Sequence, residues 1–188
     1  SENKDSFMFH TPSIDKTILQ AKLMDIPIII QKTKGEKEIE LDDLEKAIVS
    51  AVKKYHIEGV VTGAVASVYQ ASRIQMICDN LKLECFNPLW QKNQIELLEE
   101  LIKNKFEVII MQVAAHPLDK NWLGKTIDKS FIEKIKTLNE KYKINPAGEG
   151  GEFETLVLNC PLFKEPLKLK NKVITGSGNS WKMEVELE

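Results

Sequence analysis

The chain contains 188 residues, of which 43% are hydrophobic, and its 26 basic and 28 acidic side chains leave a net charge of −2. This composition predicts a globular protein with one good hydrophobic core or two small lobes. Because the charges are interspersed, a basic surface for nucleic acid is not expected, although a shaped RNA-binding pocket is not excluded. No apolar run approaches the ~18–20 residues that cross a bilayer, so membrane-spanning classes are excluded.

The N-terminal half alternates helix and strand signals. Apolar residues at helical spacing predict helices over residues 14–23, 41–55 and 68–81. Pro27–Gln31 is expected to form a buried strand, and Glu58–Thr62 and Glu84–Phe86 to form short strands.

The alternation continues through a helix over residues 95–102 and the apolar strand Phe106–Val113, and after a helix over 131–138 it changes to alternating strands at 153–158, 167–174 and 181–187. We therefore predict an α/β fold in which a parallel sheet flanked by helices is followed by a smaller α+β lobe. The expected domains are residues 1–90, which bind nucleotide, and residues 91–188, which bind substrate and hold catalytic groups.

The most informative loop is Asn145–Thr155, which places three glutamates and three glycines within eleven residues. Glycines allow positive φ and a close backbone approach, and Glu149, Glu152 and Glu154 offer acceptors, bases or metal ligands. The alternative is a flexible acidic surface turn. Apolar Phe153 between two of the glutamates favours a site.

A second candidate loop, Thr62–Ser67, follows a predicted strand and opens a helix. Backbone N–H groups and the positive helix end make this a natural phosphate position. Arg73, two turns into the helix, could reach a bound anion. The alternative is an ordinary tight turn with Ser67 as the N-cap.

Cys78, Cys85 and Cys160 are odd in number and include no CxxC pair. This count argues against a disulfide framework and a structural zinc site, and it favours the reducing cytoplasm. The N-terminus lacks the basic and apolar regions of a signal peptide, which agrees with a cytoplasmic location.

Five segments, in order, resemble the archaeal and eukaryotic diphthine–ammonia ligase family: residues 2–12, 63–73, 87–90, 118–124 and 145–155. The resemblance implies an N-type ATP pyrophosphatase with a HUP-type sheet. It implies that the carboxylate of diphthine, on elongation factor 2, is adenylated by ATP and then captured by ammonia to give diphthamide, with release of pyrophosphate and AMP.

The resemblance implies roles for particular residues. Nucleotide or acyl-substrate binding is expected at His10, Thr11, Thr62, Gly63, Ala64, Ser67, Tyr69, Gln70 and Arg73. Glu149, Glu152 and Glu154 are expected to be catalytic, beside Gly150, Gly151 and Thr155. The three carboxylates would hold Mg²⁺ through water or attract and deprotonate ammonium, because otherwise they would repel a triphosphate. Asn87, Trp90, Asp119, Trp122 and Gly124 are candidates for the surface that receives elongation factor 2.

One part of the family pattern is not found. Members carry a first strand, a Ser-Gly-Gly-Lys-Asp-Ser loop and a helix before the matching region, and residues 1–6 lack that loop's glycines. We expect the chain to be a trimmed form. The alternatives are another AMP-forming enzyme of the superfamily that acts on tRNA, and a non-catalytic nucleotide-binding module. A homodimer is left open.

Overall fold

The computed structural model describes residues 14–188. His10 and Thr11, expected to contact nucleotide, lie outside the described residues. The helices are α1 (Thr17–Leu23), α2 (Ile39–Tyr55), α3 (Val68–Leu81), α4 (Gln94–Lys103) and α5 (Lys129–Tyr142). The strands are β1 (Gly59–Val61), β2 (Glu84–Phe86), β3 (Glu107–Val113), β4 (Phe153–Asn159), β5 (Leu169–Ser177) and β6 (Ser180–Leu187).

The chain divides into two units, which are described separately. Among the described residues, the first unit contains residues 27–91, and the second contains residues 14–26 and 92–188. All five predicted helices form, and each bound lies within a few residues of the expected one.

In the first unit, β1 and β2 pair in parallel, with Gly59 opposite Glu84 and Val61 opposite Phe86. Helix α3 connects them, as a parallel pair requires a crossover. Its start is fixed by Ser67, whose side chain accepts the backbone N–H of Gln70, and it is followed by Lys82 in the left-handed conformation.

The strand predicted over Pro27–Gln31 is wrong, because this segment has no regular secondary structure. Ile28 and Ile30 are 39% and 64% exposed rather than buried. β-Branched residues suit a pleated surface, but a strand also needs a neighbour for its backbone hydrogen bonds. Among the described residues, no strand pairs with this segment.

The second unit contains an antiparallel sheet in the order β4-β3-β6-β5. The alternation of helix and strand signals predicts β3 in the parallel sheet. This prediction is wrong, because β3 pairs antiparallel with β4 and β6. β3 carries a nearly continuous buried run, which suits a central strand covered on both faces. β5 is exposed along its whole length.

The main core of the second unit joins this sheet to α4 and α5. It includes Leu98 of α4, Ile110 of β3 and Ile135 of α5, each at most 2% exposed. Asp128 starts α5 by accepting the backbone N–H of Phe131 at 2.7 Å, and Phe131 then enters the core. The segment 143–152 lies between α5 and β4, both of which contribute residues to this core.

The expected fold class is confirmed. Parallel strands flanked by helices precede an antiparallel sheet in the C-terminal part, consistent with a HUP-like fold. None of the helices within residues 14–188 is long and apolar enough to cross a bilayer.

Candidate functional site

Thr62 and Asn87 meet where the two parallel strands end. Each residue follows its strand directly, so the shared strand direction brings both side chains to the same edge of the sheet. The Thr62 hydroxyl donates to Asn87 Oδ1, and the Thr62 backbone N–H donates to the carbonyl of Phe86 at 3.0 Å. These two hydrogen bonds tie the start of the loop that leads to α3 to the end of β2.

The loop between β1 and α3 is closely packed on one side and open on the other. Ala64 is buried, and its N–H donates to Thr62 Oγ1 at 3.3 Å. Gly63 is exposed and has open space where a Cβ would stand. The Ser67 hydroxyl accepts the Gln70 N–H at 3.3 Å, so it serves as the helix cap. Contact of these residues with a phosphate or ribose stays a prediction.

Arg73 and Tyr69 lie one turn apart on α3 and stack on each other. The guanidinium carbon of Arg73 is 4.1 Å from the centre of the Tyr69 ring, a distance at which a cation–π contact stabilises the pair. Arg73 also donates to Glu38 Oε1 from Nη2 at 2.7 Å. Burial, followed by the hydrogen bond to Glu38, raises the pKa of the Tyr69 hydroxyl.

In the second unit, the loop Asn145–Gly151 is ordered by its own backbone. Gly148 N–H donates to the carbonyl of Asn145 at 3.0 Å, and Gly151 N–H donates to that of Gly148 at 2.9 Å. Two successive turns of this kind produce a compact loop. These hydrogen bonds favour an ordered loop over a flexible acidic turn, and a functional site in the loop stays a prediction.

The Glu152 carboxylate organises the same loop. Its Oε1 accepts the backbone N–H of Asn145 at 2.9 Å, and its Oε2 accepts that of Gly150 at 2.8 Å. The Glu152 carbonyl accepts Ala114 N–H at 2.8 Å, which ties the loop to the end of β3. Because each carboxylate oxygen already receives a backbone donor, Glu152 is placed to shape the loop.

This arrangement requires glycine at position 148 and favours it at position 150. A Cβ on Gly150 would stand 2.8 Å from both Glu152 carboxylate oxygens. Gly148 has φ +74°, and a Cβ there would stand 2.7 Å from the Phe153 carbonyl oxygen. The glycines therefore permit the approach of the loop to Glu152 and Phe153, in addition to any approach to a ligand.

Gln94, the first residue of α4, holds the loop from the opposite side. Its Oε1 accepts Ala147 N–H at 2.9 Å, and its Nε2 donates to Asn145 Oδ1 at 3.1 Å. Phe153 is buried after the loop and makes an edge-to-face contact with Phe131, with ring centres 5.9 Å apart. The loop is thus anchored to α4 and to the core.

The other predicted residues of this segment point to different surroundings. Glu149 is exposed in the loop. Glu154 lies on β4 opposite Gln112, and its Oε2 is buried. Gly151 and Thr155 are exposed. Within residues 14–188, no group of three or more His, Cys, Asp or Glu side chains is arranged to hold a metal ion, so the three glutamates do not converge on one preformed ion site.

Besides Asn87, two candidates for the protein-substrate surface have side-chain contacts within the chain. Asp119 caps a short 3₁₀ helix by accepting Asn121 N–H at 2.9 Å. Trp122 makes an edge-to-face contact with the buried Phe131 ring, with centres 5.6 Å apart. These contacts account for both residues through local folding.

Sequence reasoning missed Glu38 and Gln94. Glu38 is 35 positions from Arg73, and Gln94 is 53 positions from Ala147. Local periodicity carries no information on such distant pairs. The one available signal for Gln94 was its place directly after Asn93, which caps α4.

Comparison with known proteins identifies the family of both halves. The profile described as "Diphthamide synthase N-terminal domain" matches residues 1–85. The profile described as "Diphthamide synthase C-terminal domain" matches residues 93–185. Together these profiles cover most of the chain.

Curated relatives agree with this result. The chain is 36% identical to the diphthine–ammonia ligase of Schizosaccharomyces pombe over 182 residues, covering 90% of this chain and 30% of that protein. It is 33% identical to the Bos taurus protein of the same name, covering 96% of this chain and 72% of the relative. It is 35% identical to the Homo sapiens protein of that name, covering 89% of this chain and 67% of the relative. The chain therefore belongs to the diphthamide synthase family.

Proposed function

We propose that this chain carries out the ATP-dependent amidation of diphthine on elongation factor 2. The observation that carries the proposal is the ordered acidic loop Asn145–Gly151, which lies inside the part of the chain that the C-terminal family profile matches. The names of the relatives, diphthine–ammonia ligase, supply the substrate class.

The reaction requires activation because a carboxylate does not exchange oxide for ammonia. An oxygen of the diphthine carboxylate attacks the α-phosphorus of ATP, forming an O–P bond as the bond to pyrophosphate breaks. Ammonia then attacks the acyl carbon, forming a C–N bond as the C–O bond to AMP breaks. Ammonium loses one proton to become the ammonia nucleophile, and a second proton leaves the nitrogen after the attack, so both protons need an acceptor.

We assign nucleotide binding to the loop from Thr62 to Ser67 and to Arg73. Gly63 is exposed with open space beside it, which suits close approach of a phosphate to the backbone. Arg73 already binds a carboxylate oxygen within the chain, and its planar donors suit phosphate oxygens as well. Tyr69 and Gln70 are assigned to the same surface.

Among the glutamates, we assign attraction and deprotonation of ammonium to Glu149 and Glu154. Glu149 is exposed and accessible to a small cation. Glu152 is assigned to positioning, because its two oxygens accept Asn145 N–H and Gly150 N–H. Mg²⁺ would accompany ATP, since this ion is typically bound by one or two carboxylates together with substrate phosphates. Among the three glutamates, exposed Glu149 is the one assigned to bind it.

We place the activity in the cytoplasm. Cys78, Cys85 and Cys160 are free thiols, as expected in a reducing compartment. A homodimer stays a prediction, and light scattering on the purified protein tests it.

The test is to incubate the purified full-length protein with ATP, ammonium and diphthine-bearing elongation factor 2, and to measure pyrophosphate release and the mass of the modified peptide. We expect both products, and a strong loss of turnover in Glu149→Gln. Glu140→Gln is the matched control, because Glu140 is exposed on α5 and the change in charge is the same.

Two other results would contradict the proposed function, and a third would contradict the role of Glu149. Pyrophosphate release that depends on tRNA would favour another enzyme of the superfamily. Nucleotide binding without turnover would favour a binding module. Equal turnover in Glu149→Gln and Glu140→Gln would remove Glu149 from the mechanism.

A further inference from the structure

Glu38 and Arg73 form an ion pair between two elements of the first unit. The Nε and Nη2 groups of Arg73 both donate to Glu38 Oε1, at 3.2 Å and 2.7 Å. The Arg73 side chain is 29% exposed and that of Glu38 is 52% exposed. One oxyanion atom is thus held by two guanidinium donors at a surface that solutes can reach.

The surroundings of this pair provide further positive charge and an aromatic support. Arg73 stacks on the Tyr69 ring, and Lys37 Nζ is 5.5 Å from the centre of the same ring. The hydrogen bonds and charge of Arg73, then a hydrogen bond with Tyr69 and the charge of Lys37, hold the pKa of Glu38 below its ordinary value. Arg73, Tyr69 and Lys37, which we call the Arg73 cluster, therefore bind an anionic oxygen of the chain itself.

The backbone at Glu38 does not explain why a glutamate stands there. Glu38 is the N-cap residue of α2, yet its side chain makes no capping hydrogen bond. Its φ of +66° and ψ of −39° lie outside the conformations that residues other than glycine commonly adopt. A glycine would fit this backbone and an aspartate or serine would cap the helix, so the side chain is accounted for by Arg73.

We propose that Glu38 is an internal stand-in for an anionic substrate group: it occupies the Arg73 cluster in the ligand-free protein and is displaced when a phosphate oxyanion of the nucleotide binds. The inference rests on the proposed role of Arg73 in binding ATP. It adds a competition between two oxyanions for the same donors. Because the pair is accessible to solvent, the exchange requires no opening of a core.

Competition and a supporting role for Glu38 predict opposite changes in ATP affinity when its charge is removed. If Glu38 occupies the site, its neutralisation should tighten ATP binding. If Glu38 instead positions Arg73 for ATP, neutralisation should weaken it. Glu38→Gln keeps the size of the side chain and removes the charge, so the sign of the change separates the two roles.

The experiment is isothermal titration calorimetry of the whole chain with ATP at low ionic strength. We expect Glu38→Gln to bind ATP roughly twofold to fivefold more tightly than wild type, the range given by an exposed ion pair. Asp42→Asn is the matched control, since Asp42 is exposed in the first turn of α2 and the charge change is the same. Its affinity should equal that of wild type.

Adenosine serves as the control ligand because it has no phosphate. Its affinity should not change in Glu38→Gln. Glu38→Asp is a second variant, which keeps the charge but shortens the side chain. It should also bind ATP more tightly than wild type. Circular dichroism and thermal unfolding confirm that each variant folds.

Equal or weaker ATP binding by Glu38→Gln would overturn the inference. If wild type amidates elongation factor 2 in that case, the proposed function stands without the competition. If Glu38→Gln binds ATP more tightly while no amidation occurs, the competition stands and the proposed reaction fails. If neither form binds ATP, both the inference and the nucleotide assignment are overturned.

Discussion

The Glu152 carboxylate accepts the backbone N–H of Gly150 at 2.8 Å, and a Cβ on Gly150 would stand at that same distance from both carboxylate oxygens. The two residues therefore fit each other: the glycine leaves room for the carboxylate, and the carboxylate accepts the backbone N–H of the glycine. The acidic and glycine-rich character of this loop has a structural cause in addition to the proposed chemistry.

Replacing Glu152 by Gln should loosen the loop without unfolding the protein. The amide keeps one acceptor oxygen but sets an N–H₂ group against either Asn145 N–H or Gly150 N–H. We expect a loss of about 1 kcal/mol in the free energy of unfolding, measured by urea denaturation, and faster hydrogen exchange at one of these amides. Glu140→Gln, at an exposed position of α5, is the control. A Glu152→Gln variant as stable and as protected as wild type would refute this role.

Replacing Gln94 by Ala should release the loop from α4. The change removes the acceptor of Ala147 N–H and the donor to Asn145 Oδ1. Two partly buried hydrogen bonds predict a loss of about 1–2 kcal/mol in unfolding free energy. Gln94→Glu keeps the acceptor alone and should lose less. Lys103→Ala, an exposed position of the same helix, should change little, and an effect of equal size there would contradict the assignment.

The contribution of Glu38 to stability should depend on pH. Its hydrogen bond with Arg73 lowers the pKa of Glu38 from 4.5. A lowered pKa in the folded state means that the stabilisation is fully present above the unfolded value and is lost as pH falls through the folded value. Wild type should therefore have a higher Tm than Glu38→Gln at pH 7. The difference should shrink as pH falls below 4.5, and a constant difference would contradict the ion pair as its cause.

The three thiols should differ in reactivity towards an aromatic disulfide reagent. Cys78 is 0% exposed, and burial, with a contribution from Cys85, raises its pKa to about 11. Since the thiolate is the reactive form, Cys78 should react only when the chain unfolds. Cys160 is also buried, whereas Cys85 is partly exposed. Native protein should show one fast thiol, and Cys85→Ser should abolish that phase; a fast phase that persists in this variant would be unexpected.

The sequence by itself determined features whose signals are local. The apolar period of residues 68–81 and the hydroxyl of Ser67 predicted α3 and its start. The alternation from 181 to 187 predicted β6. The segments Gly63–Arg73 and Asn145–Thr155 pointed to the diphthamide synthase family, which the comparisons confirmed. Such signals survive folding because they depend on neighbours within a few residues.

Only the tertiary structure decided which distant groups meet. Pro27–Gln31 has the composition of a strand but no pairing partner among residues 14–188. The Glu152 carboxylate accepts a backbone N–H of its own loop, and the Glu38 carboxylate accepts a hydrogen bond from Arg73. Remote residues pair or form hydrogen bonds only where the folded chain brings them together. The local pattern of apolar and polar residues does not specify which remote residues those are.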